Sequence, residues 1–96
     1  MPTCSSPISH LERLLAGQSE FSVGNRKYTV QNLRHENGLG FFATFRTPRA
    51  EYLAMQVDGR VSGRPQAEVW TVMATGGRGR KVVDFAIDQD RVLVLA

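Results

Sequence analysis

Val30-Gln31-Asn32-Leu33-Arg34-His35-Glu36-Asn37-Gly38-Leu39-Gly40-Phe41-Phe42-Ala43-Thr44-Phe45 decides how this chain is read. Asn37-Gly38 is its strongest turn signal, because both residues accept the positive φ that a tight hairpin requires. On either side, apolar and polar residues alternate with a period of two, the mark of strands with one face on a core. Paired across a two-residue turn, the stretch sets Arg34 opposite Phe41, Asn32 opposite Ala43 and Val30 opposite Phe45. Val30, Phe41, Ala43 and Phe45 then share one face. Phe41 and Phe42 point to opposite sides, so Gly40 is the expected site of a bulge.

The same period runs through the rest of the chain from Glu20 onward. Phe21 and Val23 lead into Gly24-Asn25, and Tyr28 and Val30 resume the alternation, so residues 20–23 and 26–34 read as a first hairpin. Thr47-Pro48-Arg49 breaks the pattern. Leu53, Met55 and Val57 mark a fourth strand ending at Asp58-Gly59, and Arg60 to Pro65 reads as loop. A fifth strand, from about Ala67 to Thr75, is apolar on both faces, with Val69 and Met73 on one and Trp70, Val72 and Ala74 on the other. A sixth alternates Val83, Phe85 and Ile87 against Val82, Asp84 and Ala86, turns at Asp88-Gln89-Asp90, and hands over to an apolar seventh, Val92 to Leu95.

One helix precedes the strands. Ser6-Pro7 reads as N-cap and first helical residue, Ser9 with Glu12 forms a second capping box, and Gly17 is placed to end the helix in a left-handed conformation. Ile8, Leu11, Leu14 and Leu15 form its apolar stripe. Strands apolar on both faces cannot be covered by so narrow a stripe. Either six or seven strands curl into a barrel or half-barrel with the helix against an end or side, or a second copy covers the spare face. The expected fold is therefore α+β: an N-terminal helix followed by a curled, mostly meandering antiparallel sheet, with a homodimer close behind.

Composition sets the limits. The 96 residues, 42% hydrophobic and 22% charged, suit one globular domain spanning residues 1–96. The longest apolar run, Val92 to Ala96, is far short of the roughly 20 residues that cross a bilayer, and no leader pattern opens the sequence. A cytoplasmic protein without membrane contact is the expectation. A single cysteine, Cys4, excludes an internal disulfide and leaves no thiolate cluster for a metal. The two histidines, His10 and His35, have no sequence relation to it that would make a nucleophile–base pair. Asp84, Asp88 and Asp90 are explained by alternation and turn chemistry. With no phosphate-binding glycine motif and no nucleophile elbow, neither an enzyme nor a bound cofactor is expected.

Charge supplies the leading functional reading. The net charge is +3, and ten of the twelve basic residues are arginine, whose planar fork suits phosphate and carboxylate, although a GC-rich coding sequence yields the same bias. Gly76-Gly77-Arg78-Gly79-Arg80-Lys81 is a glycine-rich connection carrying three positive charges. In a meander, successive loops alternate between the two ends of the sheet, which brings this loop to the same end as Arg26-Lys27 and Arg46-Thr47-Pro48-Arg49. Seven of the twelve cations, Arg26, Lys27, Arg46, Arg49, Arg78, Arg80 and Lys81, would then form a basic pole. Such a pole would engage a polyanion, either nucleic acid or an acidic protein surface, with Tyr28 and Tyr52 as the rings able to stack beside it. The alternative is a protein-interaction or assembly module that works through the apolar sheet face or an edge strand, with no nucleic acid involved.

Overall fold

The computed structural model describes residues 9–76 and 79–95. Helix α1 (His10–Leu15) is followed by seven strands: β1 (Glu20–Val23), β2 (Arg26–Glu36), β3 (Gly40–Arg46), β4 (Glu51–Val57), β5 (Glu68–Ala74), β6 (Lys81–Asp88) and β7 (Arg91–Leu95). Each strand pairs antiparallel with its sequence neighbour in one sheet of order β1 to β7. The sheet curls until it is nearly a closed barrel. Phe21 of β1 meets Phe85 of β6 with ring centroids 5.6 Å apart, although β1 and β7 share no ladder. The meander expectation holds, and α+β holds in part, since the described helix has only six residues in a strand-rich chain.

Alternation fills the interior as the sequence implies. Phe21, Tyr28, Val30, Ala43, Phe45, Ala54, Trp70, Val72, Phe85 and Ile87 all point inward and are buried. Trp70 and Phe85 stack with centroids 6.3 Å apart, and Phe45 bridges Phe21, Tyr28 and Phe85. These rings form the core that fills the inner side of the sheet.

The deciding hairpin departs from its expected register. Val30 does face Phe45, but beyond Gln31 the pairing shifts, so that Arg34 faces Phe42 and His35 faces Phe41. The bulge lies in β2 at Asn32-Leu33 and not at Gly40. Asn32 adopts a left-handed φ of 54°, which asparagine tolerates better than most residues, and the extra residue lets Leu33 reach the core. The turn spans three residues, Asn37 to Leu39, closed by the Leu39 amide donating to the Glu36 carbonyl at 3.0 Å. A second bulge at Val82, opposite the Val72–Met73 step, brings both Val82 and Val83 against the core.

The helix seals one end. Ser6, Pro7 and Ile8 lie outside the described residues; the cap seen is Ser9, whose hydroxyl accepts from the Leu11 amide at 3.0 Å. The left-handed C-cap is Ala16, with φ of 51°, and Gly17 continues in the same region at 86°. Leu11 is fully buried. Beneath the cap, the buried Glu68 carboxylate accepts from the Ser9 hydroxyl at 2.6 Å, the Trp70 indole at 2.7 Å and the His10 amide at 3.2 Å. A buried carboxylate is tolerated when its oxygens are this fully bonded, and here it ties α1 to the first residue of β5.

Candidate functional site

Because every connection is a neighbour-to-neighbour turn, the loops at 24–25, 47–50 and 75–80 occur at one end of the sheet, here called the hairpin pole. The α1 segment, the 37–39 turn, the 58–67 connection and the 89–90 turn occupy the opposite helix pole. Val23 and Arg26 flank a two-residue turn whose Gly24 has φ of 60°. At 47–50 the Thr47 hydroxyl accepts from the Arg49 and Ala50 amides at 3.2 and 3.1 Å, which fixes the backbone at Arg49. The Thr75 hydroxyl donates to the Glu51 carbonyl at 2.9 Å, so the third loop leans on β4. Gly77 and Arg78 lie outside the described residues.

The six described cations of the expected basic pole are all exposed, yet they fall into two groups. Lys27 pairs with Glu20 at 3.5 Å, Arg46 with Glu51 at 3.8 Å and Lys81 with Asp84 at 3.2 Å. Each of these cations faces a carboxylate on its own or an adjacent strand, which reduces the positive field it contributes. Arg26, Arg49 and Arg80 have no such partner among the described residues. The two tyrosines do not form an exposed platform: Tyr28 is interior, with its ring 5.3 Å from Phe45 and 5.8 Å from Tyr52, and its buried hydroxyl has no hydrogen bond among the described residues.

A different surface emerges from the cross-strand rows. On the outer side of β1 to β3 the rows are polar, running Ser22–Lys27 and Glu20–Thr29–Arg46–Glu51. Across β4 to β7 the outer side is mostly apolar. One row runs Phe42–Met55–Thr71–Asp84–Leu95, a second runs Thr44–Leu53–Met73–Lys81, and a third runs Val57–Val69–Ala86–Leu93. Closing the barrel covers the inner side of these strands and leaves the outer side as it was. Of the two arrangements expected for strands apolar on both faces, the structure shows the curled barrel, and the outer side of β4 to β7 keeps its apolar positions.

Within this surface, Gly59 lies against Val69, where a Cβ would meet the valine methyls at 3.5 Å, so the start of the 58–67 connection covers one corner. Phe42, Leu53, Met55, Met73, Leu93 and Leu95 remain half-buried and open outward. Charge sits at the margin. The Arg34 guanidinium lies 5.4 Å from the Phe42 ring centroid and bonds Glu36 at 3.3 Å. The one central carboxylate, Asp84, accepts from the Thr71 hydroxyl at 2.6 Å and from the Lys81 ammonium at 3.2 Å. The Thr71 hydrogen bond holds the Asp84 carboxyl below its ordinary value of 3.8 despite the opposing effect of burial, and Lys81 adds to the lowering. The mid-strand polar pair, Thr71 and Asp84, surrounded by apolar outward positions, was the sequence signal for this arrangement. Alternation alone had left it unread.

No described helix is long and apolar enough to cross a membrane. Comparison with known proteins finds no matching family, no similar curated protein and no similar solved structure.

Proposed function

We propose that this chain is an assembly module that pairs with a second copy of itself through the apolar outer face of β3 to β7. The observation that carries this reading is a contiguous apolar surface whose only central charge is already bonded. Burying an unpaired carboxylate would cost several kcal/mol; one held by a hydroxyl and an ammonium can be covered at much smaller cost. An apolar centre with Met and Phe, bordered by Arg34, Glu36 and Lys81, has the anatomy of a protein interface.

Symmetry fits a second copy as the occupant, because the same patch on both partners satisfies the two-fold symmetry of most homo-oligomers. Sedimentation across micromolar to millimolar concentrations tests the reading. A dimer that persists in 1 M salt is expected, and a monomer at every concentration overturns it.

A second reading rests on the shared end of the three basic loops: a polyanion, nucleic acid or an acidic protein surface, engages Arg26, Arg49, Arg80 and Arg78. It gives the opposite salt response. Replacing Arg26, Arg49 and Arg80 by Gln should flatten the dependence of binding on log salt by up to about three units. Equal slopes for variant and parent on single- and double-stranded nucleic acid remove it.

A further inference from the structure

Three segments remote in sequence meet at the helix pole around a cleft of about 400 Å³. Helix α1 supplies His10 and Arg13, three residues apart and so on one face; the 58–67 connection supplies Arg64 and Gln66; the end of β6 supplies Asp88 and the turn after it Gln89. We propose that this cleft binds the oxyanion of a compact, polar small molecule, a carboxylate or a phosphate, between Arg13 and Arg64.

The Arg64 side of the cleft is held in place before any ligand arrives. The connection is folded on itself by the Val61–Arg64 bridge, with the Arg64 amide donating to the Val61 carbonyl at 2.9 Å and the Ala67 amide to the Arg64 carbonyl at 3.2 Å. The Arg64 guanidinium is paired with Asp88 through one of its N–H groups, leaving further N–H groups of its five-donor fork for an acceptor in the cleft. The His10 amide is bonded to Glu68 at 3.2 Å, and its ring Nδ1 lies 3.5 Å from the Ile87 carbonyl. Arg13 has no carboxylate partner among the described residues.

Charge and size select the ligand class. Two guanidinium groups against one carboxylate leave a net positive lining, so one negative charge is needed to balance it. Planar, bidentate donors match carboxylate and phosphate oxygens. Gln66 and Gln89 offer amide donors and acceptors to the rest of the molecule, and the volume lies at the small end of the range for ligand sites. This cleft is at the opposite pole from the basic loops and does not depend on the dimer.

The test is a pair of NMR titrations of the uniformly labelled protein, one with inorganic phosphate and one with succinate, each at constant ionic strength set with chloride. Saturating shifts at His10, Arg13, Arg64 and Gln89, with none at Arg49, are expected from at least one anion, and the tighter of the two identifies the source of the oxyanion. Arg13→Gln and Arg64→Gln should each weaken binding about tenfold, the loss of one charge-assisted contact. Arg49→Gln should change nothing. If Arg64→Gln disturbs the fold by releasing Asp88, Arg13→Gln decides alone, since Arg13 is in no ion pair among the described residues. Shifts that never saturate for either anion, shifts of equal size at both poles, or unchanged affinity in Arg13→Gln would overturn the proposal.

Discussion

The outer faces of β1–β2 and of β4–β6 sit on the same barrel, built from the same antiparallel ladder, and they carry opposite chemistry. Over β1–β2 the outward positions are Glu20, Ser22, Lys27, Thr29 and Gln31; over β4–β6 they include Leu53, Met55, Val57, Val69, Met73 and Ala86. Inward, the two regions are alike, since Phe21, Tyr28 and Val30 are as buried as Trp70, Val72 and Phe85. Val69 and Ala86 are already buried in the folded chain, whereas Leu53, Met55, Val57 and Met73 stay half-buried and give this side an apolar surface that the polar face lacks.

The sharpest way to break the comparison is to exchange inward for outward residues on one strand. Phe45→Ala should destabilise the monomer by about 3–5 kcal/mol, while Thr44→Ala, its outward neighbour, should change stability by less than about 0.5 kcal/mol, both read from urea midpoints. Comparable losses would mean that the outer side is also part of the core.

Association comes next in size. Met55→Glu places an unpaired carboxylate at the centre of the apolar rows and should weaken the dimer by about 100-fold or more, measured by sedimentation, with monomer stability nearly unaltered. Gln31→Glu, on the polar face, should leave the dimer intact. A dimer indifferent to Met55→Glu would move the contact elsewhere.

A smaller effect distinguishes the central carboxylate. Asp84 has its pKa lowered in the folded state, first by the Thr71 hydroxyl, so its ionised form stabilises the fold. That contribution is complete above the ordinary value of 3.8 and is lost as pH falls through the lower folded value. Urea midpoints measured at pH 6 and at pH 3 should differ less in Thr71→Val than in the parent. An unchanged difference would show that Thr71 does not hold the carboxylate. The smallest effect belongs to the inner side of β2: Tyr28→Phe removes a buried hydroxyl without a partner and should leave stability equal or raise it by up to about 1 kcal/mol. A clear loss would indicate a bonded hydroxyl.

Most of the strand plan was legible because alternation and turn residues are local. The Gly24-Asn25 turn, the Val30–Phe45 pairing and the meander order all follow from short-range pattern. The bulge was misplaced because glycine attracts such assignments, whereas Asn32 accepts the same left-handed backbone and frees Leu33 to reach the core. Leu53, Met55 and Val57 read as an ordinary core face, and only their pairing with neighbouring strands shows that Tyr52 and Ala54 point inward instead. Glu68 was invisible as an anchor: a carboxylate at a strand end reads as solvated, and its spacing of two from Trp70 was the one hint that it shares the indole's inward side. Three of the expected basic residues have acidic neighbours that come into reach only through pairing across strands or along a bulged one. The helix-pole cleft draws on a connection without periodicity, so nothing in the sequence joined Arg64 to Asp88 or either to Arg13.

The Glu68 anchor also sets an order of events. Every ladder in the sheet links chain neighbours and can close over a short loop, whereas the carboxylate bonds Ser9 across 59 residues and His10 across 58, and His10 reaches Ile87 across 77. Contacts that span such distances bear the largest entropy of closure and are favourable only once the intervening hairpins stand. The helix is synthesised before the strand that receives it, which follows more than fifty residues later. Ser9→Ala should accordingly speed unfolding with little change in the folding rate, while substitutions in the β2–β3 hairpin slow folding. The helix precedes the strands in the chain and finds its place after them, and until it does the barrel has an open floor.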